Sequence, residues 1–184
     1  MTYVPPDARE LAGPWTASDG TTLWIRPIRP EDAPLEAEFV RRLSPRSRRL
    51  RFMNALRELA PQQVERFTHV DPARELALVA LGRDGQGREE QVAVARYVVD
   101  STGRSAEFAI AVADAWQRRG LGRHLLGRLL AAARRGGLES IHGRVLAENA
   151  GMLALARGLG FAIAPLPGEP GVRRVTAMLD VGAR

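Results

Sequence analysis

Between residues 75 and 135 the hydrophobic period of the chain changes once, from that of strands to that of a helix, and this change constrains the fold more than any other feature. Residues 75 to 82 (ELALVALG), 91 to 99 (QVAVARYVV) and 104 to 113 (RSAEFAIAVA) are apolar runs of strand length. The polar stretch RDGQGREE and the turn Asp100-Ser101-Thr102-Gly103 separate them. Three consecutive strands joined by short turns form an antiparallel meander. From Trp116 onward, Leu121, Leu125 and Leu129, with Leu126 and Leu130 beside them, recur at a spacing of four until Gly136-Gly137 ends the pattern. A meander followed by such a helix, within the order of strands and helices along the chain, points to an α+β domain.

The flanking segments fit that expectation. TTLWIRPIR reads as a strand broken by Pro27, and Pro30, with Glu31 and Asp32 behind it, opens a helix over residues 31 to 43. Ser44-Pro45 caps a second helix reaching about Leu56, and Pro61 starts a short third one carrying Val64 and Phe67. After the long helix come a strand (138 to 147), a helix (149 to 159) ended by Gly160, and two closing strands (161 to 164 and 172 to 179). The expected architecture is a single mixed, mostly antiparallel sheet with helices on both faces. Residues 1 to 20, aperiodic and rich in Pro, Gly and Ala, are expected as a flexible, loosely docked leader before a domain spanning 21 to 184.

Composition removes several chemistries. There is no cysteine, and all 27 basic residues are arginine. Disulfide scaffolds, thiolate zinc sites, cysteine nucleophiles and lysine-bearing P-loops are therefore excluded. His69, His124 and His142 lack the spacing of a metal site and are read as structural, so no metal is expected. No apolar run approaches the ~18 residues of a membrane span, and a cytoplasmic protein without membrane contact is expected. The net charge of +6 is uneven: residues 40 to 51 hold six arginines and no acid, while residues 104 to 157 hold nine arginines against four acids. With Phe52 as the one nearby aromatic, the first cluster reads as a solvated helix face, with a ligand or partner surface and nucleic acid as alternatives.

Chemistry concentrates where the last meander strand meets the long helix, in AEFAIAVADAWQRRGLGRHLL. Gly120 and Gly122 remove side chains that would keep a ligand off the backbone, and the first N–H groups of the helix are free to bind it. Flanked by Arg118, Arg119 and Arg123, this helix N-terminus is an anion site suited to a pyrophosphate. A dinucleotide fingerprint would need glycine or alanine where Leu125 stands and a parallel βαβ unit, whereas antiparallel strands precede this loop. Close helix-to-strand packing is the other reading of the two glycines.

The Q-x-x-G-x-G loop after a strand, together with Asn149 and the closing Leu159-Gly160-Phe161, resembles the GCN5-related N-acetyltransferases over about residues 20 to 180. AEFAIAVADAWQRRGLG with VLAENAGML is similar, more narrowly, to the acetyltransferase module of bacterial protein lysine acetyltransferases. The resemblance implies acetyl-CoA as co-substrate, with backbone groups of residues Gln117, Arg118, Arg119, Gly120, Gly122 and Arg123 on the pyrophosphate, main-chain groups near Val112 beside the pantetheine arm, and Asn149 near it. Asn149 can equally be the N-cap of the helix it precedes.

Glu107 matches the general base of the lysine-acetylating relatives. On an alternating strand it shares a face with Ala109 and Ala111, which leaves room for a cleft; a cross-strand pair with Arg96 or Arg104 is the alternative. The tyrosine acid of many relatives corresponds to Ala156, and neither Tyr3 nor Tyr97 can be given that role from sequence. The resemblance thus implies direct transfer in a ternary complex to a protein lysine or, alternatively, a small amine; the sequence leaves monomer and homodimer both open. A catalytically silent acyl-CoA-binding domain is a further alternative, and no nucleic acid partner is expected.

Overall fold

The period-two segments come together as one eight-stranded sheet in the computed structural model, which describes residues 3–179. Strands β1 (Gly13–Thr16), β2 (Thr22–Pro27), β3 (Glu75–Arg83), β4 (Glu89–Val99), β5 (Ser105–Val112), β6 (Ser140–Leu146), β7 (Ala162–Leu166) and β8 (Glu169–Met178) lie in the order β1-β2-β3-β4-β5-β6-β8-β7. All neighbours are antiparallel except β5 and β6. That exception has a topological cause. Helix α4 (Leu121–Arg135) joins β5 to β6, and a helical crossover returns the chain in its original direction.

Alternation of side chains splits the core into two layers. Ala77, Val79 and Val94 point to one face, where α1 (Ala33–Arg42), α2 (Pro45–Phe52) and α3 (Pro61–Thr68) bury Phe39, Val40 and Leu43. Leu78, Ala95, Tyr97 and Phe108 point to the other, under Leu121, Leu125 and Leu129 of α4 and Leu153 and Ala156 of α5 (Ala150–Gly158). Covered on both faces, β3 and β4 are buried almost continuously. The mixed sheet flanked by helices on both faces is the architecture expected from the pattern.

Three local expectations are corrected. The segment read as a leader is packed from Tyr3 onward: β1 pairs with β2, Tyr3 and Leu11 lie in the core, and the Tyr3 hydroxyl meets that of Tyr97 at 2.9 Å. The first helix begins later than expected, after a 3-10 turn over Pro30–Asp32, because Arg26 holds the Asp32 carboxylate at 2.6 and 2.7 Å and the Arg29 N–H donates to it. Helix α2 stops at Phe52, where Met53 adopts a left-handed φ of 60°. Beyond that turn the Arg48 guanidinium donates to the carbonyls of Leu43 and Leu56 and holds the following segment.

Candidate active site

The parallel pair β5–β6 stays together for only a few residues. β5 pairs with β4 through Val112 but with β6 only over Ser105–Glu107. The Ala113 N–H donates to the Val92 carbonyl, so the odd-numbered residues of β5 bond to β4 and the backbone groups of Phe108, Ile110 and Val112 face the gap. A wedge holds it open. The Phe108 ring lies directly against Gly143 of β6, so close that a Cβ there would stand 2.7 Å from it. Phe161, the last residue of the Leu-Gly-Phe motif, packs edge-on against Phe108 with centroids 5.4 Å apart.

A cavity of about 600 Å³ fills the gap. Its walls are β5 from Glu107 to Val112, the C-terminal half of α2, the loop before α4 and the first turns of α5. Seven of the residues singled out by sequence, Glu107, Val112, Gln117, Arg118, Gly120, Gly122 and Arg123, line it together, and Asn149 does so from the start of α5. Arg119 does not line it. Its guanidinium binds Asp19 at 2.7 Å and lies over Trp116, so it ties the loop to the β1–β2 turn.

The loop before α4 is concave. Arg118 and Gly120 both have positive φ, 60° and 89°, which turns successive N–H groups toward one concavity ahead of the free N–H groups of α4. A side chain at Gly122 would abut Leu155 and Val112 at 3.6 and 3.7 Å, so the glycine leaves the floor of the cradle low. Gln117 anchors the loop by donating to the Val112 carbonyl and the Ser47 hydroxyl, each at 3.1 Å.

Helix α2 is fastened to the same loop by Asp114. Its carboxylate accepts from the Ser44 N–H, the Ser44 hydroxyl and the Ser47 hydroxyl at 2.9, 2.8 and 2.7 Å. Burial acts to raise the Asp114 pKa, but these hydrogen bonds together outweigh it, and the carboxyl titrates below its ordinary value.

Similarity to known proteins follows this geometry. The acetyltransferase (GNAT) family model matches residues 43–161. An acetyltransferase of Pseudomonas aeruginosa is 35% identical over 150 residues, 80% of either chain. The chain belongs to the GNAT acetyltransferase family. Among solved structures, the GNAT domain of S. lividans PAT has 30% identity and a TM-score of 0.82, with 95% of this chain and 99% of that one covered. The spermidine N-acetyltransferase of Vibrio cholerae, solved with CoA and spermine, shares the fold at 20% identity and a TM-score of 0.67, covering 85% of this chain and 95% of that one. The chain is therefore an N-acetyltransferase of a family that uses acetyl-CoA, acting on an amine.

For an acetyltransferase the surroundings of Glu107 matter most. It is exposed to the cavity, and among the described residues its carboxylate has no hydrogen-bond or ion-pair partner. The cross-strand pairs weighed from sequence do not form: Arg104 binds Glu139, and Arg96 reaches the Phe67 carbonyl and Glu36. His142 sits opposite Glu107 in the β5–β6 register, its Nδ1 held by the Ser105 hydroxyl at 3.1 Å. Burial, assisted by Arg174, lowers the His142 pKa, while Glu107 acts weakly in the other sense.

Asn149 caps α5, its side chain accepting from the Met152 N–H at 3.1 Å, and still borders the cavity. Ala156 is fully buried in the core, and the α5 residues on the cavity are Gly151, Met152 and Leu155. Among the described residues no tyrosine lines the cavity: Tyr97 is buried on the α4 side of the sheet. Sequence reasoning missed Ser47, Asp114 and Arg51 as parts of the site. Asp114 was visible only as a turn residue, and Arg51 is indistinguishable by spacing from its neighbours in an arginine run. The rest of that run is largely engaged with protein partners: Arg41 with Glu38, Arg42 with Glu90, Arg48 with main-chain carbonyls, and Arg49 with Glu148. Among the described residues no cluster suits a metal ion, and no helix is long and apolar enough to cross a membrane.

Proposed function

We propose that the chain transfers the acetyl group of acetyl-CoA directly to a protein lysine, in a ternary complex, with Glu107 as general base. The observation that carries this reading is the unpaired Glu107 carboxylate inside the cleft, at the position where β5 and β6 part. The concave loop with Arg118, Arg123 and the free N–H groups of α4 would hold the pyrophosphate. The outward N–H groups of β5, ending at Val112, would meet the pantetheine arm and polarise the thioester carbonyl.

The base has a defined load. A lysine amine with pKa ~10.4 must lose its proton before it attacks, which at pH 7 costs roughly 4.6 kcal/mol, against about 1 kcal/mol for an α-amine. A positioned carboxylate that takes the proton, directly or through a water, is of most use to the lysine. The neutral amine nitrogen then bonds to the acetyl carbon and the carbon–sulfur bond breaks; of the two protons the ammonium loses in becoming an amide, the first resides on Glu107 and the second passes to water as the amide forms. With no tyrosine on the cavity, the sulfur departs as a thiolate, which a pKa near 8.5 permits. The absence of cysteine accords with direct transfer, since the usual acyl-carrying thiol is missing. The likeness to the GNAT domain of S. lividans PAT at 30% identity supports a protein acceptor, whereas the spermidine enzyme is related at the level of the fold.

The test is acetyl transfer from labelled acetyl-CoA to lysine peptides and, in parallel, to spermidine. Glu107→Gln is expected to lower turnover by about 100-fold or more while leaving CoA affinity unchanged. Unchanged turnover would remove Glu107 from its role, and spermidine as the better acceptor would overturn the lysine reading. The chain has no lysine, so it contributes no acetyl-lysine background of its own.

A further inference from the structure

Among the described residues four arginines line the cavity: Arg51, Arg118, Arg123 and Arg144. Arg144 binds Glu169. Arg118 and Arg123 lie on the loop and first turn of α4, the end suited to a pyrophosphate. Arg51 is elsewhere, in the last turn of α2, which packs on β5. Its guanidinium rests 4.8 Å from the Phe52 ring centroid and borders the same cavity as Glu107.

Arg51 differs from the other five arginines of its run. Arg41, Arg42, Arg48 and Arg49 hold acids or carbonyls, and Arg46 is exposed outside the cavity. Arg51 is half-buried in the cavity wall, and among the described residues it has no hydrogen-bond or ion-pair partner. The charges that act on it are those of Arg96, Glu36 and Glu107. The buried Glu36 carboxylate is already engaged by the Gln91 amide, with Arg96 at 3.9 Å. Burial first, then Arg96, pulls the Arg51 pKa down to about 10, so the group stays cationic at neutral pH but short of counter-charge. When Glu107 takes up a proton, that shortage grows.

We propose that Arg51 binds a carboxylate carried by the acceptor close to the amine that is acetylated. The proposal deepens the reading of the cleft as an N-acetyltransferase site and names its substrate class: amines that bear an acid in the same molecule, either a lysine flanked by Asp or Glu or a free amino acid. A guanidinium fork matches a carboxylate bidentately, and its partly desolvated setting strengthens the pairing. Phe52, Met53 and Leu50 beside it supply an apolar wall for an aliphatic stem. A polyamine would instead bring ammonium groups toward a bare guanidinium, a like-charge contact that selects against it.

The experiment compares N-terminally blocked peptides with one lysine flanked by Glu or by Gln, lysine against lysinamide, and spermidine. The parent is expected to prefer Glu over Gln flanks by about ten-fold in kcat/KM, through KM. Arg51→Gln should erase the ratio by raising KM for the Glu peptide by about ten-fold. Arg51→Glu should shift preference toward spermidine. A ratio near one in the parent, or one that survives in Arg51→Gln with an unaltered melting temperature, overturns the proposal. An Arg51-dependent preference for lysine over lysinamide, exceeding that between the peptides, identifies a small amino acid as the source of the carboxylate. The same peptides are also titrated into the CoA-loaded Glu107→Gln protein. There, an Arg51-dependent preference for Glu flanks supports the proposal and its absence refutes it, even if no amine turns over and the catalytic reading fails.

Discussion

Replacing Gly143 by alanine tests why the cleft opens. The added Cβ would lie 2.7, 2.9 and 3.1 Å from three ring atoms of Phe108, so ring or strand must move by several tenths of an ångström. The ring is hemmed in: Phe108 is 5% exposed and packed edge-on by Phe161. Overpacking of this kind costs about 1–3 kcal/mol. Exchanging a strand glycine for alanine returns roughly 0.5–1 kcal/mol of backbone entropy. The difference is a net loss centred on about 1 kcal/mol, which for a chain of this length lowers Tm by ~2–4 °C. Thermal unfolding followed by circular dichroism reads it directly. Gly171→Ala, where nothing lies within 4 Å of the new atom, serves as the control. Phe108→Leu should suppress the defect, with about 1 kcal/mol of coupling in a double-mutant cycle. Because Phe108 also borders the cavity, the single variant should raise KM for a substrate as well. A Tm within ~1 °C of the parent together with no coupling would refute the wedge.

Two further outcomes follow from the electrostatics. Asp114→Asn should cost about 1 kcal/mol, because one amide oxygen replaces a carboxylate that accepts three hydrogen bonds, and it should raise KM for both substrates by loosening α2 from the loop. With the folded Asp114 pKa depressed, the stability it contributes is present above the unfolded value of 3.8 and lost as pH falls through the folded one. The difference between parent and variant in denaturant midpoint should hold from pH 8 to 5 and shrink below about 3.8, and a difference that grows on acidification would contradict this. Burial, with lesser contributions from nearby arginines, lowers the pKa of His124 and His142 below 6.5, so the unfolded chain takes up protons first and stability falls as pH drops through that value. The double variant His124→Gln/His142→Gln should show a flatter loss between pH 7 and 5.5 in urea titrations, and an identical slope would remove these histidines from the acid limb.

The parts of the fold that were legible are those written in local periodicity. The meander, the leucine stripe of α4 and the glycines at its start depend on residues two to four positions apart, and each came out within a few residues of its expected place. The N-terminal strand was missed for the converse reason. Four residues of an edge strand show no period, and isolated residues such as Tyr3 and Leu11 carry no signal until the core they enter exists.

Which arginine does what was decided only by the tertiary structure. Arg118 and Arg119 are adjacent, yet one lines the cavity and the other binds Asp19 one hundred positions away. Arg48 and Arg51 lie on one short helix, yet one caps main-chain carbonyls and the other borders the cleft without a partner. Sequence by itself determined that a glycine-bearing helix N-terminus follows a meander, and that Glu107 occupies the sparse face of its strand. Charge pairing is decided across space rather than along the chain. The partners of each guanidinium, and the point where β5 and β6 separate around Phe108 and Gly143, emerge only when distant segments pack.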